Sequence, residues 1–144
     1  MDQDLERFVA SQSRVYDDVK AELGAGRKTS HWMWFVFPQV AGLGSSDFAR
    51  LYAIDSLAEA VSYAAHPILG ARLRECARLV LNVPVLSAVD ILGALDAMKL
   101  HSSMTLFVHA ALQEPVFGEV LERFYGGMPD PATEAILARW RAGG

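Results

Sequence analysis

The 144-residue chain is 52% apolar and 21% charged, which excludes a disordered segment and fits one globular domain able to bury about two-thirds of the surface its unfolded form exposes. Its net charge of −4 argues against a general nucleic-acid binder, which presents a basic face, and no stretch reaches the roughly 18 apolar residues of a membrane span. Cys76 is the one cysteine, so no internal disulfide, zinc knuckle or redox pair can form, and with no charged-then-apolar leader the expected setting is a reducing cytoplasm.

Leu5, Phe8, Val9, Gln12, Tyr16, Val19 and Leu23 recur at three- and four-residue steps, one stripe of an amphipathic helix. Asp2 and Asp4 complement its positive start. Gly24 stops it, and Gly24 and Gly26 supply the φ freedom of a C-terminal cap. Arg27 and Lys28 therefore fall in a turn. They open the most distinctive run of the chain, Gly26-Arg27-Lys28-Thr29-Ser30-His31-Trp32-Met33-Trp34-Phe35-Val36-Phe37-Pro38-Gln39. Ser30 suits the N-cap of a short helix through the aromatics. A strand competes, because aromatics and Val36 also favour pleated backbone. Helix is preferred, since no second period-2 segment exists for a strand to pair with. Pro38 ends the element, and residues 42–46 form a glycine-serine loop.

From Asp47 a short helix carries Phe48, Leu51 and Tyr52. Ser56-Leu57-Ala58-Glu59 is a capping box opening a helix that runs to His66. Pro67 opens the next at its first position, with Leu69, Leu73, Cys76, Ala77 and Val80 inward. Ser87 caps a short helix that Gly93 breaks. Asp96 caps a longer one that shows Met104, Phe107, Val108 and Ala111 on one face and holds Lys99, His101, Ser102, Ser103 and Thr105 in its first turns. Pro115 opens a helix with Phe117, Val120, Leu121 and Phe124 inward, Gly126-Gly127 ends it, and Asp130-Pro131 starts the last, with Ile136, Leu137 and Trp140. Residues 1–144 thus read as one all-α domain, irregular and multihelical, of about seven or eight helices.

Two corners of this chain carry candidate chemistry. Arg27, Lys28 and the hydroxyls of Thr29 and Ser30 beside a helix start suit a phosphate or carboxylate; a solvated turn with a cap uses the same residues. His31 is an acid, base or anion donor, or else a hydrogen-bonded core residue. Trp32 and Trp34 lie about 200° apart around a helix, so one belongs to the core and the other can stack on a flat molecule. Lys99, Ser102 and Ser103 share a helix face, presenting an ammonium and two hydroxyls. Gln39 closes the aromatic run and joins this candidate binding set. Arg72 can fork onto a carboxylate of the protein or of a ligand. The four histidines are too scattered for metal-ligand spacing, and nothing in the pattern calls for a cofactor.

Residues 9–23, the run from Gly26 to Gln39 with Ser30-His31-Trp32-Met33-Trp34 at its centre, Gly42-Leu43-Gly44, Tyr52-Ala53-Ile54, Glu59-Ala60, the stretch from His66 to Leu73, and the stretch from Asp96 to Phe107 together resemble the domain of unknown function numbered eighteen-ten. The resemblance covers nearly the whole chain. It implies a small, mainly helical, bacterial-type protein and no established activity. A looser similarity, to helical N-glycosidases of ADP-ribosyl or riboflavin-pathway intermediates, runs through Glu59, residues 88–93, Lys99, Met104 and residues 117–121 and 127–130. It implies Glu59 as acid or base, where the capping box accounts for that residue without chemistry.

Three functional readings follow. In the first, the Arg27–His31 corner and the Lys99 helix converge on a pocket for a small anionic or nucleotide-like molecule, with glycosidic hydrolysis as its enzymatic form. In the second, a non-enzymatic helical module binds a protein partner through aromatic surface. In the third, these residues serve the fold alone. A concave polar site favours the first, a flat exposed aromatic patch the second, and burial of Trp32, Trp34 and His31 the third.

Overall fold

A computed structural model describes residues 4–143. Among the described residues there are nine helices: α1 (Glu6–Gly24), α2 (Met33–Val36), α3 (Asp47–Leu51), α4 (Leu57–Ala65), α5 (Leu69–Leu81), α6 (Ala88–Leu92), α7 (Ala94–Ala110), α8 (Pro115–Tyr125) and α9 (Pro131–Ala142). The architecture is the all-α domain expected, with more helices than expected because α2, α3 and α6 are single turns. Asp2 lies outside the described residues.

α1 buries Phe8, Gln12, Val19 and Leu23 along the expected stripe. Gln12 is polar yet covered, and its amide donates to the Phe35 carbonyl (2.6 Å) and the Tyr63 hydroxyl (2.9 Å), tying α1 to α2 and α4. The chain reverses at Gly26, where φ is +74° and Val83 Cγ1 would stand 2.9 Å from an added Cβ. The aromatic run is indeed helical, but only for one turn, followed by an isolated parallel bridge between Val40 and Ile54.

Short polar caps account for four of the nine starts. Ser46, Ser56, Ser87 and Asp130 accept from the first turns of α3, α4, α6 and α9, as their residue types dictate. Four details differ from the sequence reading. Glu59 completes its box by accepting from Asp55 N–H (2.8 Å), one residue before the expected partner. α5 begins at Leu69 rather than Pro67, and the His66 ring Nδ1 accepts from Ile68 N–H (3.1 Å) and Leu69 N–H (3.2 Å) in the manner of a cap. The N-cap of α2 is Trp32, whose side chain makes no cap bond, instead of Ser30. The N-cap of α7 is Gly93 at φ +85°, which places Asp96 inside the first turn.

α7 is the central helix, packed by α4, α6, α8 and α9. Its Leu100, Met104, Leu106 and Phe107 are all buried, and so are Ser102, Ser103 and Thr105. A helix surrounded on most sides leaves its hydroxyls little access to water, and Thr105 donates back to the His101 carbonyl (2.8 Å).

Candidate functional site

The turn after α1 and the first turn of α7 form two neighbouring polar corners. In the first, Glu22 stands in the last turn of α1, where the helix dipole disfavours a carboxylate. The returning chain holds it. Oε1 accepts from Thr29 N–H (2.8 Å), Ser30 N–H (3.1 Å) and the Trp32 indole N–H (2.9 Å), and Oε2 from the Ser30 hydroxyl (2.5 Å). Burial alone would raise its pKa, but the Ser30 hydroxyl, the Thr29 amide, the indole and the Ser30 amide outweigh it and hold the carboxyl down to about 2. The Ser30 hydroxyl and the amides of Thr29 and Ser30, which could serve a foreign anion, are therefore occupied by the chain's own carboxylate.

In the second corner, Lys28 extends over the start of α7, anchored by its N–H to the Ile91 carbonyl (2.8 Å). Its ammonium is 2.8 Å from Asp96 Oδ2, with only 7% of the side chain exposed. An ammonium so covered requires a counter-charge. The Lys99 ammonium approaches the other oxygen, Oδ1, at 3.2 Å. Each ammonium also faces an indole, Lys28 over Trp32 (5.1 Å to the ring centre) and Lys99 over Trp34 (5.3 Å). Two cations thus share one anion, leaving one positive charge in surplus. Lys28, His31, Trp34, Asp96 and Lys99 line a hollow of about 390 Å³, with His31 exposed at its rim.

That hollow has neighbours. One of about 360 Å³ meets it at Trp34, another of about 380 Å³ meets it at Leu95 and Lys99, and the two share Gln39 and Gly44. Trp34, Gln39 and Lys99 each border two of these three hollows, and Phe48 packs on Trp34 at 5.0 Å between ring centres.

The remaining candidates lie apart from this junction or within the fold. Arg27 is exposed and does not line the hollow; Lys28 takes its place. Trp32 is the core indole, fully buried. Ser30 serves Glu22. Ser102 lines the 380 Å³ trough, donating to Asp130 Oδ2 (2.9 Å). Ser103, expected on the same face, is fully buried with no hydrogen-bond partner for its hydroxyl among the described residues. Arg72 reaches Gln12 Oε1 (3.4 Å) and Ser13 Oγ (3.3 Å) and lies over the Tyr16 ring, bracing α5 on α1. Glu59, nearly buried, faces Arg7 at 3.5 Å beside a different depression. The Cys76 thiol is buried and pushed up to about 12, so it stays protonated and unreactive at neutral pH. Glu22 and Asp96 are the acids around which the two corners are built, and spacing alone does not single them out. Their signals were an acid at the wrong end of a helix dipole and an Asp three residues before a Lys on the same helix.

The family model described as "Protein of unknown function (DUF1810)" matches residues 2–137. The chain belongs to this family. Among solved structures, this DUF1810 chain is similar to the conserved hypothetical protein Rv1873 from Mycobacterium tuberculosis, with 52% identity over 94% of this chain and 96% of that one, and a TM-score of 0.92. No curated protein matches the DUF1810 chain. None of the described helices is long and apolar enough to cross a membrane.

Proposed function

We propose that the hollow between the 28–34 turn and the start of α7 binds a small molecule through an anionic group. The observation that carries this reading is the charge count at Asp96: two ammoniums meet one carboxylate, the covered Lys28 at 2.8 Å and Lys99, 27% exposed and lining the hollow, at 3.2 Å. Gly93 has no side chain to cap α7, so the first-turn N–H groups add to the same field. Trp34 beside Lys99 supplies an apolar edge for the rest of the molecule.

Binding without hydrolysis is the reading favoured. Hydrolysis needs an acid or base held at the reacting bond, whereas Asp96 is engaged by two ammoniums, Glu59 borders another depression, and the ring of His31, exposed at the rim, has no hydrogen bond among the described residues to orient it. The interaction-module alternative draws little support, since Phe48 is the one exposed Phe, Trp or Tyr ring among the described residues. A reducing, cytoplasmic setting is part of the proposal and rests on the lone, buried thiol.

Thermal-shift measurements with inorganic phosphate, AMP, ADP-ribose and sugar phosphates test it. A binder at one hundred times its Kd stabilises the native state by about 2.7 kcal/mol. Lys99→Gln should remove the shift while leaving the unliganded melting temperature nearly unchanged. No shift with any anion, or a shift that survives Lys99→Gln, rejects the reading.

A further inference from the structure

We infer that the molecule taken by this site is an amphiphilic monoanion: a carboxylate on a short apolar chain, its head at Lys99 and its chain in the adjoining trough. This rests on the anion-binding reading above and specifies the remainder of the ligand. The trough, about 380 Å³, runs along the outer face of α7 between that helix and residues 39–44 and ends at the start of α9. Leu43, Leu95 and Met98 border it. Leu95 and Met98 are 75% and 67% exposed, on a helix whose other large apolar side chains are covered wholly or in part. Because Leu95 and Lys99 line both the trough and the cationic hollow, the ammonium and the apolar wall are continuous.

Charge gives the trough a direction. At one end stands the surplus ammonium of Lys99. At the other stands the Asp130 carboxylate, whose Oδ2 accepts from the Ser102 hydroxyl (2.9 Å), the Thr133 hydroxyl (2.6 Å) and the Thr133 N–H (3.2 Å). An anionic head is drawn to the first and repelled by the second, so an apolar chain extends from α7 towards α9. One surplus charge matches one carboxylate better than a polyphosphate. The Trp34 ring, with Lys99 and Phe48 already against it, leaves little face for a stacked base.

Calorimetric titration with acetate, butyrate, hexanoate and octanoate at fixed ionic strength, alongside inorganic phosphate and AMP, tests the inference on the whole chain. Affinity should rise about threefold per added methylene, and Lys99→Gln should abolish binding of the whole series. The variant Met98→Ser, at an exposed position that borders the trough and not the cationic hollow, should flatten the chain-length dependence without weakening the binding of phosphate. Octanoate binding no tighter than acetate, or a dependence that persists in the serine variant, overturns the amphiphile. Lys99-dependent binding of phosphate or AMP alongside a flat series leaves the anion site standing without it. No binding by any anion removes both.

Discussion

The two polar corners use similar residues to opposite ends. At the turn after α1, four hydrogen-bond donors converge on Glu22, and the site closes on itself. At the start of α7, two ammoniums converge on Asp96 and one remains in excess beside open space. Donor type does not separate a structural anion site from a ligand site. What separates them is whether the chain's own carboxylates balance the local charge and fill the cradle. By that test residues 29–32 belong to the fold, and Lys99 is the side chain left with something to bind.

Removing the internal anion should produce the largest effect. Glu22→Ala strands the amides of Thr29 and Ser30 and the indole N–H of the fully buried Trp32. It should destabilise the protein by about 3 kcal/mol in urea melts, and Glu22→Gln by less, because an amide oxygen still accepts. A loss below about 0.5 kcal/mol for Glu22→Ala would show that solvent satisfies these donors and that the corner is open. The same bonds set an acid limit. Because the folded pKa of Glu22 is depressed from 4.5 to about 2, its contribution is fully present above pH 4.5 and fades as the pH falls towards 2. Stability measured across that window should fall less steeply in Glu22→Gln than in the parent.

The second corner divides unequally between its two lysines. Asp96→Asn leaves the covered Lys28 ammonium without its counter-charge and should cost about 2 kcal/mol. A double-mutant cycle should give a Lys28–Asp96 coupling well above that of Lys99–Asp96, where the lysine is 27% exposed and a surface pair contributes under about 1 kcal/mol. Equal couplings would mean that the carboxylate is shared evenly, and the surplus charge could not be assigned to Lys99.

Much of this fold was legible in the chain. The α1 and α5 stripes, the Ser56, Ser87 and Asp130 starts and the Gly93 break follow from local spacing and propensity, and local rules suffice where a helix end satisfies itself. The sequence also points to the 27–31 turn and the Lys99 helix as neighbours, with both Arg27 and Lys28 at the corner, of which only Lys28 lines the hollow. What stayed hidden depends on return of the chain. Glu22 acquires its role only when Gly26 folds residues 29–32 back over α1. The hydroxyls of α7 look like a polar face until packing by four other helices makes them interior groups. Arg72 meets Gln12 and Ser13 through the α1–α5 contact, which no spacing within α5 reveals.

The smallest expected effect concerns Arg27 against Lys99. Both are basic, both belong to the corners that the sequence brings into view, and simple electrostatic steering would rank them equally. Arg27 is exposed and outside the lining of the hollow, so screening by water and salt leaves it little influence on a bound anion. Arg27→Ala should therefore change stability by less than about 0.5 kcal/mol and phosphate or octanoate affinity by less than about twofold. Lys99→Gln should also be mild for stability, below about 1 kcal/mol, yet remove binding. If the two variants weaken binding alike, attraction comes from the general field of the surface, and the charge balance at Asp96 loses its explanatory role.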